Sequence, residues 1–277
     1  MNIYSRTRSL VETLGDVVAR AAENLGDLTI FSGQVLSWLL LRRPAKGTLL
    51  QSFYTVGVLS MPVVAVTGLF IGMVLGVQGY HQFHSLGLAT RLGSIINISI
   101  VSELGPVLAA TMIAGRVGSA MAAEIGTMAV TDQIDALTCL GVNPLHYLAV
   151  PRFVACVLLI PMLTILADLT GICGGAMICI NTYGVDAHHY WTRARNYVGL
   201  WDISEGLIKS AFFGAAIALI SCHRGFRCRA GAEGVGRAAT EAFVASFIAI
   251  LILDFFLALL LGYIEQRLWP NGVVKLL

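Results

Sequence analysis

The chain has 277 residues, of which 57% are apolar and 12% charged, with a formal net charge of +2. A soluble domain carries roughly 25% charge, and here the mean hydropathy is +0.79. These values exclude a disordered chain, a nucleic-acid binder and an ordinary soluble enzyme, and they indicate an integral membrane protein.

The first 46 residues hold six Lys/Arg and no uncharged run long enough to span a bilayer. A charged, mixed stretch follows the basic start, so no secretory signal is expected. Leu10, Leu14, Val17, Val18, Ala21, Leu25 and Leu28 recur at helical spacing. They predict an amphipathic helix, lying on the membrane surface or packing as a soluble helix. Ile30 to Leu41 is too short to span and ends in Arg42-Arg43-Pro44, which suits a separate elbow or re-entrant helix.

From Gly47 to Thr90 there is no Asp, Glu, Lys or Arg. A helix of about 20 residues crosses the hydrocarbon layer, so Tyr54–Tyr80 is the first predicted span. Gly93–Ala123 is the second, although it contains Glu103 and Arg116. Val150–Ile180 is the third and contains Asp168. Ile203–Cys222 is the fourth, with Glu205 and Lys209 in its first turns, and Ala242–Ile264 is the fifth, with Asp254 near its middle. With the N-terminus inside, the inner segments carry 12 Lys/Arg and the outer segments 6. The positive-inside bias therefore predicts a cytoplasmic N-terminus and an outer C-terminus.

Gly68, Gly72 and Gly76 form a GxxxGxxxG stripe on the first span. Such a stripe lets another backbone approach, within the chain or across a dimer. The second span is rich in Gly, Ala and Ser, which predicts a helix enclosed by other helices. Glu103 lies about 15 Å into it, near the bilayer middle, where a carboxyl costs on the order of 3 kcal/mol. It is expected to face a polar cavity, or to hydrogen-bond a neighbouring helix in its protonated form. Pro106 removes a backbone donor and can bend the helix. Lys209 and Asp254 can pair, or Lys209 can snorkel to the surface. Asp168 receives no role. Arg116 and Glu124 read as inner-side packing or head-group contacts.

After the second span, Thr131 is a candidate N-cap, and Asp132 and Asp135 suit the positive first turn of a helix. Gly141 suits the C′ position and Pro144 forbids continuation. The spacing predicts a helix of about nine residues, over 132–140, with Ile134, Leu137 and Leu140 on one flank. So short a helix is marginal alone. It must dock on a separate protein or on its own bundle.

There is no GxxxxGK[ST] and no HExxH in the chain, so neither a P-loop nor a zincin site is expected. Cys222-His223 with Cys228 is only a weak metal spacing. His81, His84, His188 and His189 fall in predicted outer loops and are expected to be solvated. The six cysteines, at 139, 156, 173, 179, 222 and 228, read as small buried apolar residues. No repeat of useful length supports an inverted-repeat carrier.

Several stretches resemble the MlaE/YrbE permease family. They are Gly68-Leu-Phe-Ile-Gly-Met-Val-Leu-Gly-Val-Gln-Gly-Tyr80, Ser102-Glu-Leu-Gly-Pro-Val-Leu-Ala-Ala110, Ala114-Gly-Arg-Val-Gly-Ser-Ala-Met-Ala-Ala-Glu-Ile-Gly-Thr-Met128, Thr131-Asp-Gln-Ile-Asp-Ala-Leu137 and Pro151-Arg152. The resemblance covers roughly residues 45–265. It implies the membrane subunit of an ABC transporter that moves phospholipids in the bacterial cell envelope, with chloroplast relatives doing a similar task. It implies a homodimer in the inner (cytoplasmic) membrane. Two cytoplasmic ATPase subunits would carry ATP and Mg, and an MCE-domain protein would sit on the outer face. The chain itself would be no enzyme, hold no cofactor and bind no nucleic acid. By the same resemblance Glu103, Pro106, Lys209 and Asp254 line the lipid path or its flanks. Thr131, Asp132, Ile134, Asp135, Leu137 and Leu140 belong to the coupling helix. Some members carry Arg where this chain has Ser102, which removes a positive charge that might attract a phosphate.

The expected fold is thus an all-α membrane protein with five transmembrane helices. An N-terminal interfacial and elbow region (1–46) precedes a permease domain (47–277). The competing readings are an ion- or proton-coupled carrier using Glu103 and Asp254, and a non-transporting scaffold for an MCE protein.

Overall fold

Long apolar runs broken by a few glycines and prolines fold here as helices throughout. The computed structural model describes residues 3–41, 46–85, 92–228 and 231–268, and no strand occurs among them. The helices are α1 (Ile3–Leu41), α2 (Lys46–Val56), α3 (Met61–Ser85), α4 (Leu92–Ser99), α5 (Gly105–Ile113), α6 (Ser119–Val130), α7 (Gln133–Cys139), α8 (Val150–Met177), α9 (Ala187–Tyr197), α10 (Leu200–Phe226) and α11 (Ala232–Leu268).

Five stretches are long and apolar enough to cross a membrane: Gly47–Phe83, Gly93–Val130, Leu145–Thr182, Leu200–Phe226 and Ala232–Leu268. All five were expected, but each is longer than its hydropathy alone predicts. Hydropathy registers only the apolar part of a helix, whereas the hydrogen-bonded helix continues through charged ends. Thus α10 begins at Leu200, where the Asp202 carboxylate accepts from the Gly199 amide at 2.7 Å. A 38-residue span is about 57 Å long, well beyond a hydrocarbon layer of about 30 Å.

The first span is not one straight helix. Pro62 has no amide hydrogen to continue the ladder, and a 3₁₀ turn at Val58–Ser60 separates α2 from α3. The second span is α4, α5 and α6 joined by π-turns at Ile100–Leu104 and Ala114–Gly118. The N-terminal region differs from expectation. A single helix, α1, runs from Ile3 to Leu41, with no break between a surface helix and an elbow. Nothing in residues 26–33 interrupts the ladder strongly enough, since a glycine such as Gly26 costs a helix only about 1 kcal/mol. Phe31 and Val35 of α1 are buried against the bundle, with Phe31 edge-on to His223 at 5.5 Å between centroids. The side chains of Leu10, Leu14, Val17, Val18 and Ala21, and the segment Arg42-Arg43-Pro44, lie outside the described residues.

The glycine stripe of α3 packs within the chain, against α8. A Cβ on Gly72 would overlap the Gly171 backbone, and Gly68 meets Ala167 and Thr170 in the same way. Small residues on both helices bring the two backbones into direct contact, and van der Waals packing then replaces the hydrophobic drive that lipid surroundings remove. The central core joins α5, α8, α10 and α11 through Ala110, Ile113, Ile160, Phe213, Ile217 and Ile250. Cys156, Cys179 and Cys222 are buried as expected, but Cys139 and Cys173 are exposed. Cys139 ends the surface helix α7, and Cys173 points away from the packed face of α8.

Candidate functional site

Three carboxylates and a backbone carbonyl inside this apolar bundle converge on one ammonium. Lys209 of α10 is fully buried, with 0% exposure. Its Nζ donates to Glu103 Oε1 at 2.7 Å, and lies 2.9 Å from Glu205 Oε1 and 3.9 Å from Asp254 Oδ1. It also donates to the Ser102 carbonyl at 3.3 Å. Glu205 stands four residues before Lys209, the helical spacing at which a carboxylate and an ammonium meet. Glu103 and Ser102 come from the π-turn, and Asp254 from the middle of α11. Snorkelling of Lys209 is thereby overturned. A lysine so enclosed would lose several kcal/mol of hydration, and the three carboxylates are what compensate it.

The backbone explains why Ser102 can serve. In an α-helix the amide of Pro106 would bond the carbonyl of Ser102, four residues earlier. Proline has no such donor. The π-turn closes instead from the Gly105 amide to the Ile100 carbonyl, leaving the Ser102 carbonyl to Lys209. Pro106 itself is buried, its ring against Gly206 of α10. Gly206 has no Cβ, and that lets α10 lie on the Val101 carbonyl and bring Lys209 within reach. Pro106 therefore acts through the backbone and presents no open surface of its own. Glu103 is 46% exposed and Asp254 23%, so these two carboxylates are the open side of the cluster. Asp254 Oδ1 is buried and makes no hydrogen bond.

Asp168 does not join this group. Its carboxyl abuts Gly105 from α8, and its Oδ1 is buried without a hydrogen-bond partner. Arg116 donates to Ser60 Oγ at 2.7 Å and to the Thr55 carbonyl at 3.4 Å, tying the end of α2 and the 3₁₀ turn after it to the second span. Glu124 pairs with Arg152 at 2.9 Å.

Sequence reasoning overlooked Glu205 and the Ser102 carbonyl as members of the site. The four-residue spacing of Glu205 and Lys209 was the available signal for the first.

The short helix after the second span is α7, Gln133–Cys139. Thr131 is not its N-cap. It ends α6, and its Oγ1 donates to the Thr127 carbonyl at 2.8 Å. Asp132 holds the N-cap position with φ 58°, a left-handed conformation that Asp tolerates better than most residues. The far end matches expectation. Gly141 has φ +75°, its amide donates to Thr138 O at 2.9 Å, and the Val142 amide donates to Leu137 O at 3.0 Å. This pair of bonds is a Schellman closure. The apolar flank is divided. Ile134 packs on its own bundle beside Phe31, Val35 and Ile125. Leu137 is half-buried, and Leu140 is 77% exposed. Asp135 is exposed.

A bundle of five spans with an internal charge cluster and one short amphipathic helix between spans two and three defines a membrane permease. The chain belongs to the MlaE permease family, whose model matches residues 49–260. A probable ABC transporter permease protein of Synechocystis is 42% identical over 230 residues, 83% of this chain and 88% of that one. The intermembrane phospholipid transport system permease protein MlaE of Haemophilus influenzae is 40% identical over 210 residues, 76% of this chain and 80% of that one. The chloroplast protein trigalactosyldiacylglycerol 1 of Arabidopsis thaliana is 37% identical over 229 residues, 83% of this chain and 65% of that one.

Proposed function

We propose that this chain is the membrane-spanning subunit of an ATP-driven phospholipid transporter of the bacterial inner membrane. It works as a homodimer with two cytoplasmic ATPase subunits that carry ATP and Mg, and with an MCE-domain protein on the outer face. It performs no catalysis itself. The Lys209 cluster carries this reading. Four ionisable side chains at the heart of an apolar bundle are expensive, and such groups mark a polar path for a substrate. The Haemophilus relative, by its name, transports phospholipid between membranes.

The orientation rests on the positive-inside bias. With Lys209 taken into the bundle, the flanking Lys/Arg stand 12 inside against 5 outside. The N-terminus and α7 then face the cytoplasm. The helix α7 couples the permease to the ATPase, with Asp132 and Asp135 exposed, Leu140 free to insert into a groove, and Ile134 anchoring the helix to its own bundle.

Purification in mild detergent tests this reading. An ATPase subunit carrying a P-loop, an MCE-domain protein and phospholipid are expected with the chain. A preparation without nucleotide-binding partner or lipid contradicts it.

A further inference from the structure

We infer that the inner end of the bundle holds the phosphate of an anionic phospholipid, such as phosphatidylglycerol, in a cavity lined by Arg224, Arg227 and Arg237. The inference rests on the orientation given above and goes beyond the permease reading by assigning a lipid site apart from the Lys209 cluster.

A cavity of about 340 Å³ lies between α1, α10 and α11, within the range of roughly 300–1,000 Å³ that small-molecule sites occupy. It sits where the fourth span ends and the fifth begins. Arg224 stands fifteen residues beyond Lys209 on α10, or about 22 Å along the helix. Gly234 and Ala238 of α11 line the cavity and are buried, and their lack of bulk leaves the space open. Three arginines line it, with Glu241 as the carboxylate among the described residues that do so.

Arg227 pairs with Asp27 of α1. Arg224 and Arg237 share Glu241. Arg224 Nη1 donates to it at 3.4 Å, whereas Arg237 Nε lies 3.9 Å away, beyond hydrogen-bond reach. Three guanidiniums thus face two carboxylates, a formal surplus of one positive charge. Each guanidinium has five N–H donors and no acceptor, more than two carboxylates can take. A phosphate supplies the missing charge and acceptors, and it binds Arg in bidentate pairs. Gly234 adds to the same field. It stands in the first turn of α11, whose amides have no acceptor within the helix and form its positive end.

The surroundings fit a lipid rather than a free phosphate. From Arg237 and Glu241 one face of α11 continues, at spacings of three and four, through Val244, Ile248, Leu251 and Phe255. All four are exposed, by 47 to 61%. A head group in the cavity therefore has an apolar stripe along which its acyl chains lie. Basic pockets between spans on the cytoplasmic side suit anionic head groups. Phosphatidylcholine brings its own cation and cannot offset the positive surplus.

The test uses the transporter purified in mild detergent with its co-purifying subunits. Labelled phosphatidylglycerol and phosphatidylcholine are added in equal amounts, and the lipid that stays bound is counted by mass spectrometry. The wild type is expected to retain phosphatidylglycerol about tenfold over phosphatidylcholine, a difference of about 1.4 kcal/mol. Arg224→Gln with Arg237→Gln should remove most of that preference with the ATPase still bound. If the double variant fails to assemble, Arg237→Gln alone should show a smaller loss in the same direction. Inorganic phosphate, added in place of lipid, is expected to raise the thermal transition much less than phosphatidylglycerol does. An equal rise would make this a free-phosphate site and overturn the inference. Equal retention of the two lipids by the wild type overturns it too, as does a preference that the variants leave unchanged. Release of the ATPase by the variants, with the lipid preference intact, would make the arginines a protein contact instead. In each of these cases ATP-dependent lipid movement by the same preparation leaves the permease reading standing, and its absence overturns that reading.

Discussion

Lys209 and Glu103 stand 106 positions apart in the chain and 2.7 Å apart in the fold. Their contact ties α10 to the π-turn of the second span. A buried ion pair is weak evidence for stability, but removing one partner is costly.

Lys209→Met leaves Glu103, Glu205 and Asp254 without their cation. The variant is expected to lose about 3–5 kcal/mol, read as a marked fall in the thermal transition of the detergent-purified protein. Combining it with Glu103→Gln, Glu205→Gln and Asp254→Asn should recover much of that loss. A Lys209→Met protein as stable as wild type contradicts the account of the cluster.

Glu103→Leu leaves one Lys209 donor unsatisfied, at about 1–3 kcal/mol, so it should be less stable than Glu103→Gln, whose amide oxygen still accepts. Both variants should remain inserted and both should transport lipid more slowly. Transport at the wild-type rate by both would reduce Glu103 to a packing residue.

Pro106→Ala restores an amide that competes with Lys209 for the Ser102 carbonyl. Insertion should be unaffected, because alanine is the better helix former. Transport should fall. Unchanged transport would mean that the freed carbonyl is incidental.

The contact between α3 and α8 gives a graded test. A Cβ at Gly72 overlaps the Gly171 backbone, whereas at Gly76 its nearest neighbour is the Gly175 carbonyl at 3.3 Å. Overpacking costs about 1–3 kcal/mol or more. Gly72→Ala should therefore lower the yield of monodisperse protein more than Gly76→Ala does. The reverse order would contradict the packing described.

For α7, the division of its flank separates two effects. Leu140→Asp should leave the permease as stable as wild type but weaken ATPase retention by about 30-fold or more, the scale of an interface anchor. Ile134→Asp should loosen α7 from its own bundle and lower stability as well. Full ATPase retention by Leu140→Asp would remove Leu140 from the interface.

The five spans were legible because uncharged runs of this length have few alternatives. Their ends were not, since charged turns continue a helix without raising hydropathy. Glu103 and Asp254 were conspicuous as isolated charges, but nothing in a sequence states the rotation of α10 against α11. Snorkelling, the commoner fate of a lysine near a helix end, therefore stood ahead of pairing for Lys209. The role of the Ser102 carbonyl depends on a π-turn, for which Pro106 was only half the signal. Thr131 was misplaced by one residue, because Asp132 adopts a left-handed conformation that its residue type permits but does not require. The split between Ile134 and Leu140 depends on where α1 lies, and the expected break in α1 concealed this.

The most direct test of the central claim is ATP-dependent movement of a labelled phospholipid in liposomes holding the permease with its ATPase. Wild type and Glu103→Gln are compared, with a proton gradient applied or absent. The account predicts movement that requires ATP, is indifferent to the gradient, and falls in Glu103→Gln while ATPase subunits remain bound. Movement driven by the gradient without ATP, or full movement by the variant, would contradict it.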